Sequence, residues 1–199
     1  MNYPPKHHQE SDINHLIEVI KTYPLATVIS VKNNEPLITH LPLIYNKNGK
    51  LIGHIDKYNP QAELLKNNNA VTVIFSGPQC YISPSIYSSS QLPTWNYIKV
   101  HLKGKVNAVN NEEQVKQDLV DLTDFLEAPT HKYKLEIDNP KMLGLINYIR
   151  GFEIDITHWE GKFKLSQDKN KSDMASAKNE LIRANKASIE TFLSKVFNE

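Results

Sequence analysis

The chain of 199 residues contains one cysteine, Cys80, and two arginines, Arg150 and Arg183. A single cysteine cannot form an intramolecular disulfide or build a metal cage from several thiolates. We therefore expect a reducing, cytoplasmic environment and interpret Cys80 as a small buried residue rather than a nucleophile. The first residues, MNYPPKHHQESD, lack the apolar run of a signal peptide, and no segment is long enough to predict a membrane span.

Glycine is also scarce, with seven residues scattered singly, so the chain has no glycine-rich phosphate loop. Its serines lack a Gly-x-Ser-x-Gly elbow, which argues against acyl transfer. Net charge is +1 and the basic residues are spread along the chain, so direct DNA binding is not expected. Because both arginines fall on predicted helices, we expect lysines to hold any phosphate, with Lys57 and Lys164 best placed.

Hydrophobic periodicity predicts a mainly β fold with helices, in the α+β class. Without strict βαβ alternation the sheet should be antiparallel, and we expect a six- or seven-stranded closed barrel with flanking helices. Its filled interior would leave a ligand outside the barrel or between the subunits of a homodimer. The predicted strands cover residues 25–31, 37–45, 51–57, 70–75 and 98–106, the first three as a meander, with a final hairpin of 151–157 and 162–166. The predicted helices are one from Ser11 with Asp12 as cap, residues 112–127, residues 140–149 and a last one over 171–199. Turns are predicted at Asn48-Gly49 and Glu160-Gly161, and Pro42 indicates an edge strand. Alternation along residues 98–106 places Val100 and Leu102 on the face opposite Lys103 and Lys105.

Residues 78–97, PQCYISPSIYSSSQLPTWNY, combine aromatic side chains, hydroxyls and prolines between two predicted strands. Binding pockets are mainly aromatic and apolar with a few placed polar groups, so this segment suits a flat polar ligand. The alternative is a proline-rich loop that packs only on itself.

Histidines offer another candidate site, because His40, His54 and His101 fall on three predicted strands. Three imidazoles can bind zinc, but this spacing matches no ligand signature and no acidic residue is plainly placed beside them. We therefore expect no metal site. The other five histidines are interpreted as solvent-exposed: His7, His8, His15, His131 and His158.

Several motifs in order resemble the PaiB family of FMN-binding split-barrel proteins, of the negative transcriptional regulator type. They are NYPPKH, PLATVIS, THLPL, GHIDKYNPQ, GPQCYISPSIY, LPTWNY with VHLKG, RGFEIDI and GKFKLSQDK. The resemblance implies an antiparallel FMN-binding split barrel, a homodimer and FMN at the subunit interface. Carried over position by position, it implies these cofactor-binding residues: His54, Lys57, Asn59, Gln61, Ser83, Ser85, Thr94, Trp95, Asn96, Lys164, Ser166 and Gln167.

The chain departs from the family pattern at four positions. Ala62 and Ile86 stand where tryptophans are usual, and losing two flat rings could widen the pocket or weaken stacking on the flavin. His8 replaces a common phenylalanine and Asp168 a usual asparagine, and we interpret both as peripheral.

We expect a barrel domain over residues 1–170 and a C-terminal helix over 171–199, packed on the barrel or on a partner subunit. The resemblance implies an FMN-binding protein that acts indirectly in transcriptional regulation. The alternative is a flavin-dependent oxidoreductase, in which the flavin carries the chemistry, and a weaker one is haem binding by a barrel histidine. Whether the protein is an enzyme stays open.

Overall fold

The computed structural model describes residues 4–185. These residues form eight strands and four α-helices. The strands are β1 (Gln9–Glu10), β2 (Leu25–Lys32), β3 (Glu35–Pro42), β4 (Ile44–Tyr45), β5 (Lys50–Asp56), β6 (Asn69–Ile82), β7 (Thr94–Val109) and β8 (Ile149–Lys164). The helices are α1 (Ile13–Thr22), α2 (Glu112–Glu127), α3 (Pro140–Leu145) and α4 (Lys171–Asn185).

All eight strands belong to one antiparallel sheet in the order β3-β2-β6-β7-β8-β5-β4, with β1 beside β8. The predicted α+β class and antiparallel sheet are confirmed. The predicted meander is wrong, because β3 pairs with β2 while β5 pairs with β4 and β8. Strand β3 begins the order, which agrees with the edge position that Pro42 predicts. The sheet has eight strands rather than six or seven.

The predicted final hairpin is also wrong, because β8 runs without a turn from Ile149 to Lys164. The Glu160-Gly161 pair predicts a turn less strongly than the Asn48-Gly49 pair does. In the latter, Gly49 adopts φ +78° between β4 and β5. Helix α3 ends at Leu145, and a short 3-10 turn leads into β8. Arg150 therefore lies on a strand and not on a helix.

The chain divides into two compact units. The small unit comprises Met1–Glu10, Gly77–Ile98 and Lys162–Glu199, and the large unit comprises Ser11–Ser76 and Lys99–Gly161. The expected division at residue 170 stays a prediction. The part of the predicted C-terminal helix beyond α4, residues 186–199, lies outside the described residues.

An apolar core stabilises the large unit. Phe75 and Phe152 are fully buried on β6 and β8, and Ile20 is fully buried on α1. Asp12 caps α1 as predicted, since its carboxylate accepts a hydrogen bond from Asn14 N at 2.9 Å. A second cluster joins α2 to α3 and includes Val115, Leu119, Met142 and Ile146.

In the small unit, α4 packs through Ala177 against Cys80 and Ile82. Burial raises the pKa of the Cys80 thiol, which agrees with its interpretation as a buried residue. Asp173, at the start of α4, accepts hydrogen bonds from Ser88 N at 2.6 Å and from the Ser88 and Ser89 hydroxyls at 2.8 and 2.9 Å. The serine run is thereby attached to the first turn of α4.

Across the helices of residues 4–185, we find none with the length and apolar character needed to span a bilayer.

Candidate functional site

A buried polar network lies just after β8 in the small unit. Ser166 has φ +62° and is only 2% exposed, an uncommon conformation for a residue with a side chain. Its hydroxyl lies 2.9 Å from the Tyr87 hydroxyl and accepts a hydrogen bond from Asn96 Nδ2 at 3.1 Å. Asn96 is 1% exposed, so its amide depends on this partner. The network holds the chain in the turn that follows β8.

Lys164 lies beside this network. Its ammonium donates to Thr94 Oγ1 at 2.6 Å, and both side chains border a cavity of about 300 Å³ with Ser166 and Lys169. Lys169 pairs with Asp168 at 2.8 Å. The cavity is thus lined by two lysines, of which Lys169 is paired with the Asp168 carboxylate at the same wall, and by two hydroxyl side chains, Thr94 and Ser166. Ammonium and hydroxyl groups are donor types that bind an anion.

Gln167 links the N-terminal segment to this region. Its Oε1 accepts from Leu165 N at 2.7 Å, and its Nε2 donates to Phe163 O. The same Oε1 lies 3.1 Å from His8 Nδ1, so Nδ1 carries the proton. His8 is only 8% exposed, which corrects the prediction that it is a surface residue. Burial lowers its pKa, and the Gln167 hydrogen bond partly opposes that shift.

Two more predicted site groups occupy the small unit. Ser83 Oγ accepts from Ser85 N at 3.3 Å and lies 2.8 Å from the Ser85 hydroxyl, capping a short 3-10 turn. Trp95 is 50% exposed, and its ring centroid lies 6.3 Å from that of Tyr81. The two rings are tilted by 56° to one another, and each is about half exposed.

In the large unit, Asn59 and Gln61 shape the turn after β5. Asn59 Oδ1 accepts from Gln61 N at 2.9 Å, and Asn59 Nδ2 donates to Thr39 Oγ1 at 3.2 Å. Gln61 is 1% exposed, and its Nε2 donates to Val28 O and to Ser30 Oγ, each at 3.1 Å. Both side chains tie the turn to β2 or β3.

His54 and Lys57 also belong to the large unit. His54 is partly buried, and burial lowers its pKa. The Lys57 ammonium donates to Asn147 O and lies 4.8 Å from the centroid of the Tyr148 ring and 5.4 Å from that of Tyr58. These contacts hold the cation in a cation–π arrangement.

The structure therefore brings part of the predicted set together. In the small unit it gathers Thr94, Asn96, Lys164, Ser166 and Gln167, whereas Ser83, Ser85 and Trp95 make separate local contacts. The remaining four, His54, Lys57, Asn59 and Gln61, belong to the large unit. Their roles toward a cofactor stay predictions.

Sequence reasoning missed several neighbours of the cavity. Lys169 and Gln91 border it, and so do His8 and Asp168, which were predicted to be peripheral. The sequence did single out His8 and Asp168, because both positions depart from the family pattern.

The three strand histidines do not converge on one point. Among residues 4–185, the group of histidine, cysteine and carboxylate side chains close enough to share a metal is His7, His8 and Asp168. His40 instead lies 3.1 Å from Thr27 Oγ1.

Comparison with solved structures identifies the fold. The FAD and heme binding protein from Mycobacterium smegmatis has a TM-score of 0.66 at 19% identity, covering 85% of this chain and 80% of its own. A flavocytochrome from Azotobacter vinelandii has a TM-score of 0.64 at 16% identity, covering 84% of this chain and 75% of its own. At such identities the likeness shows the fold alone. The class is that of the antiparallel split barrels found in flavin-binding proteins.

Sequence comparison gives the family. The model described as "Putative FMN-binding domain" matches residues 2–158. The protein named Protease synthase and sporulation protein PAI 2, from Bacillus subtilis, is 33% identical over 183 residues, which cover 86% of this chain and 84% of that protein. The chain belongs to this PaiB-type family of FMN-binding split-barrel proteins, as the motifs predicted. Lys164, Ser166 and Gln167 lie beyond the residues that the family model matches.

Proposed function

We propose that the chain binds FMN as a homodimer and that Lys164, with Thr94 and Ser166, holds the cofactor phosphate. The observation that carries this proposal is the cavity of about 300 Å³ lined by Lys164 and Lys169, the second of which also pairs with Asp168. The terminal phosphate of FMN is close to a dianion at neutral pH, so two cations and two hydroxyls complement it.

The other predicted residues take supporting roles in the proposal. Within the large unit, Lys57 is a separate candidate for a cationic contact to the flavin, while Asn59 and Gln61 keep the turn after β5 in shape through their bonds to β2 and β3. Trp95 offers an exposed ring for stacking on the isoalloxazine. Ser83, Ser85, Asn96, Gln167 and His54 complete the proposed set.

The lysine contacts are tested by flavin titration. A charge-assisted hydrogen bond contributes about 1.5–3 kcal/mol, so Lys164→Ala and Lys57→Ala should each weaken FMN binding by about tenfold to a hundredfold. Lys47→Ala, in the exposed turn after β4, is the matched control and should bind FMN like the parent chain. Riboflavin, which has no phosphate, should bind the parent and Lys164→Ala equally. Unchanged FMN affinity in both alanine variants would refute the phosphate contacts.

Tryptophan fluorescence tests the ring contact. The chain has two tryptophans, and Trp159 packs edge to face on Tyr45 in the large unit. In a Trp159→Phe variant the emission comes from Trp95 alone, and bound FMN should quench it strongly. FMN uptake without quenching of Trp95 would exclude this residue from the flavin site.

The dimer proposal is supported by an apolar face on the edge hairpin. Leu25, Val31 and Ile38, on β2 and β3, are 62%, 63% and 56% exposed. Exposed apolar side chains on a hairpin at the edge of a sheet favour association between chains. Ile38→Lys should therefore give a monomer in light scattering, whereas Leu126→Lys, at a 49% exposed position on α2, should not. A monomeric parent chain would overturn the dimer.

We propose an indirect regulatory role, in the cytoplasm, because net charge is +1 and one relative is named for protease synthesis and sporulation. Direct DNA binding should be absent even at low salt, where phosphate contacts are strongest. The alternative from the sequence is a flavin-dependent oxidoreductase. Bleaching of the bound flavin by NADH or NADPH at a catalytic rate would favour that enzyme and contradict the purely regulatory role.

A further inference from the structure

The strongest unassigned cluster in the described residues is formed by His7, His8 and Asp168 in the small unit. One ligating atom from each lies within 4.8 Å of the other two. We propose that these three side chains form a binding site for a divalent transition metal ion of the Zn²⁺ type. The inference does not depend on flavin binding.

The donor set determines the metal class. Two imidazole nitrogens and one carboxylate oxygen are ligands of zinc and of its neighbours in the first transition row. Calcium and magnesium prefer sites made of oxygens. Three protein ligands leave at least one coordination position for water, the arrangement of open zinc sites.

His8 makes the kind of hydrogen bond that fixes the tautomer of a metal-binding histidine. Its Nδ1–H donates to Gln167 Oε1 at 3.1 Å, which leaves Nε2 with its lone pair available. Metal-binding histidines usually donate their second ring nitrogen in this way, because the hydrogen bond sets the tautomer and the ring direction. Gln167 is itself held by Leu165 N and Phe163 O. A buried ligand of fixed tautomer is thus combined with two exposed ligands, His7 and Asp168, that can adjust to an ion.

Two neighbouring cations oppose the metal. Lys169 pairs with Asp168 Oδ2 at 2.8 Å, and Lys164 borders the same cavity as His8 and Asp168. A bound metal must share or replace the Lys169 contact. Removing that ammonium should therefore strengthen metal binding, an effect that no merely structural role of the cluster would produce.

The experiment uses the full chain without an affinity tag, freed of metal by a chelator, with and without FMN. Calorimetry with Zn²⁺ should give one ion per chain, and Co²⁺ should give visible absorption typical of nitrogen and oxygen ligands. His7→Ala and Asp168→Asn change exposed residues and should keep the fold, as checked by circular dichroism. Each should weaken Zn²⁺ binding by more than about tenfold, Gln167→Ala by about 10–100-fold, and Lys169→Ala should strengthen it.

His131→Ala is the matched control. His131 Nδ1 lies 3.0 Å from Asp124 Oδ1, so this pair combines an exposed imidazole with one carboxylate but lacks a third ligand. Zn²⁺ binding should be unchanged in this variant. No stoichiometric Zn²⁺ uptake by the parent, or equal loss in His131→Ala and His7→Ala, would overturn the site, whatever the outcome of the FMN titrations.

Discussion

The two units use different interactions to hold their backbones. In the large unit the fully buried side chains are mostly apolar, such as Phe75, Phe152 and Leu51. In the small unit, Asn96, Ser166 and Asp173 are buried polar residues at 1–2% exposure. Apolar burial stabilises without directional demands, whereas buried polar groups stabilise only while each keeps its partner. Precise placement of donors and acceptors in the small unit therefore depends on a complete hydrogen-bond network.

The largest expected effect lies in the apolar core of the large unit. Phe152→Ala should lower the free energy of unfolding by about 3–5 kcal/mol, because it removes a fully buried ring and leaves a cavity. Leu92→Ala, at an 83% exposed position of the small unit, should change it by less than about 0.5 kcal/mol. Denaturant titration measures both. Similar losses from the two substitutions would contradict the assignment of the core.

A glycine of the large unit tests how closely its strands pack. A Cβ on Gly104 would lie 2.4 Å from Ile154 Cγ2 and 2.8 Å from Asp155 O, so Gly104→Ala should cost about 1–3 kcal/mol. Gly144 on α3 has no atom within 4 Å of such a Cβ, and Gly144→Ala should stabilise by up to about 1 kcal/mol. Thermal unfolding of the two variants should shift in opposite directions. An unchanged unfolding temperature in Gly104→Ala would show that the strands adjust easily.

The polar network gives the corresponding test for the small unit. Ser166→Ala removes the partner of the Tyr87 hydroxyl and of the buried Asn96 amide, which should cost about 1–3 kcal/mol. Ser172→Ala, at an exposed position on α4, should be neutral within about 0.5 kcal/mol. Because φ at Ser166 is positive, Ser166→Gly should lose less stability than Ser166→Ala. Equal losses would mean that the backbone is unstrained there.

The smallest effects concern pH. Burial lowers the pKa of His54 in the large unit and of His8 in the small unit below the ordinary 6.5. Well above 6.5 neither imidazole is charged in the folded or the unfolded state, so these two groups do not make stability depend on pH there. Below 6.5 the unfolded chain takes up protons that the folded chain resists, and stability falls until the folded pKa is reached. His54→Gln and His8→Gln should each flatten part of the fall in unfolding temperature between about pH 7 and pH 5.

At lower pH, Asp173 makes the stability of the small unit depend on pH. The Ser88 backbone N–H, with the Ser88, Ser89 and Asn170 side chains, lowers its pKa below 3.8 despite desolvation. Its contribution is therefore present above 3.8 and is lost only as pH falls through the folded value. Asp173→Asn should remove this acid-dependent loss while leaving the imidazole region unchanged. If the unfolding temperature of Asp173→Asn fell with decreasing pH as steeply as that of the parent chain, the role assigned to the Asp173 hydrogen bonds would be contradicted.

Local patterns predicted much of the secondary structure. The cap at Asp12, the span of α2 and the Asn48-Gly49 turn depend on short-range geometry, and the structure contains all three. Val100 and Leu102 are buried while Lys103 and Lys105 are exposed, as alternation along β7 predicted. Strand pairing could not be predicted from local patterns, because nothing in the sequence of β5 favours pairing with β8 over pairing with β3.

Composition and motif order by themselves determined the α+β class, the family and the residue types available to hold an anion. They did so because hydrophobic period, turn chemistry and side-chain charge are properties of short segments. Tertiary structure alone decided that β8 continues through Gly161, that Lys164 meets Thr94, and that His8 is buried beside Gln167. Each of these outcomes depends on segments distant in the chain coming into contact, where the free energy of packing outweighs local preference.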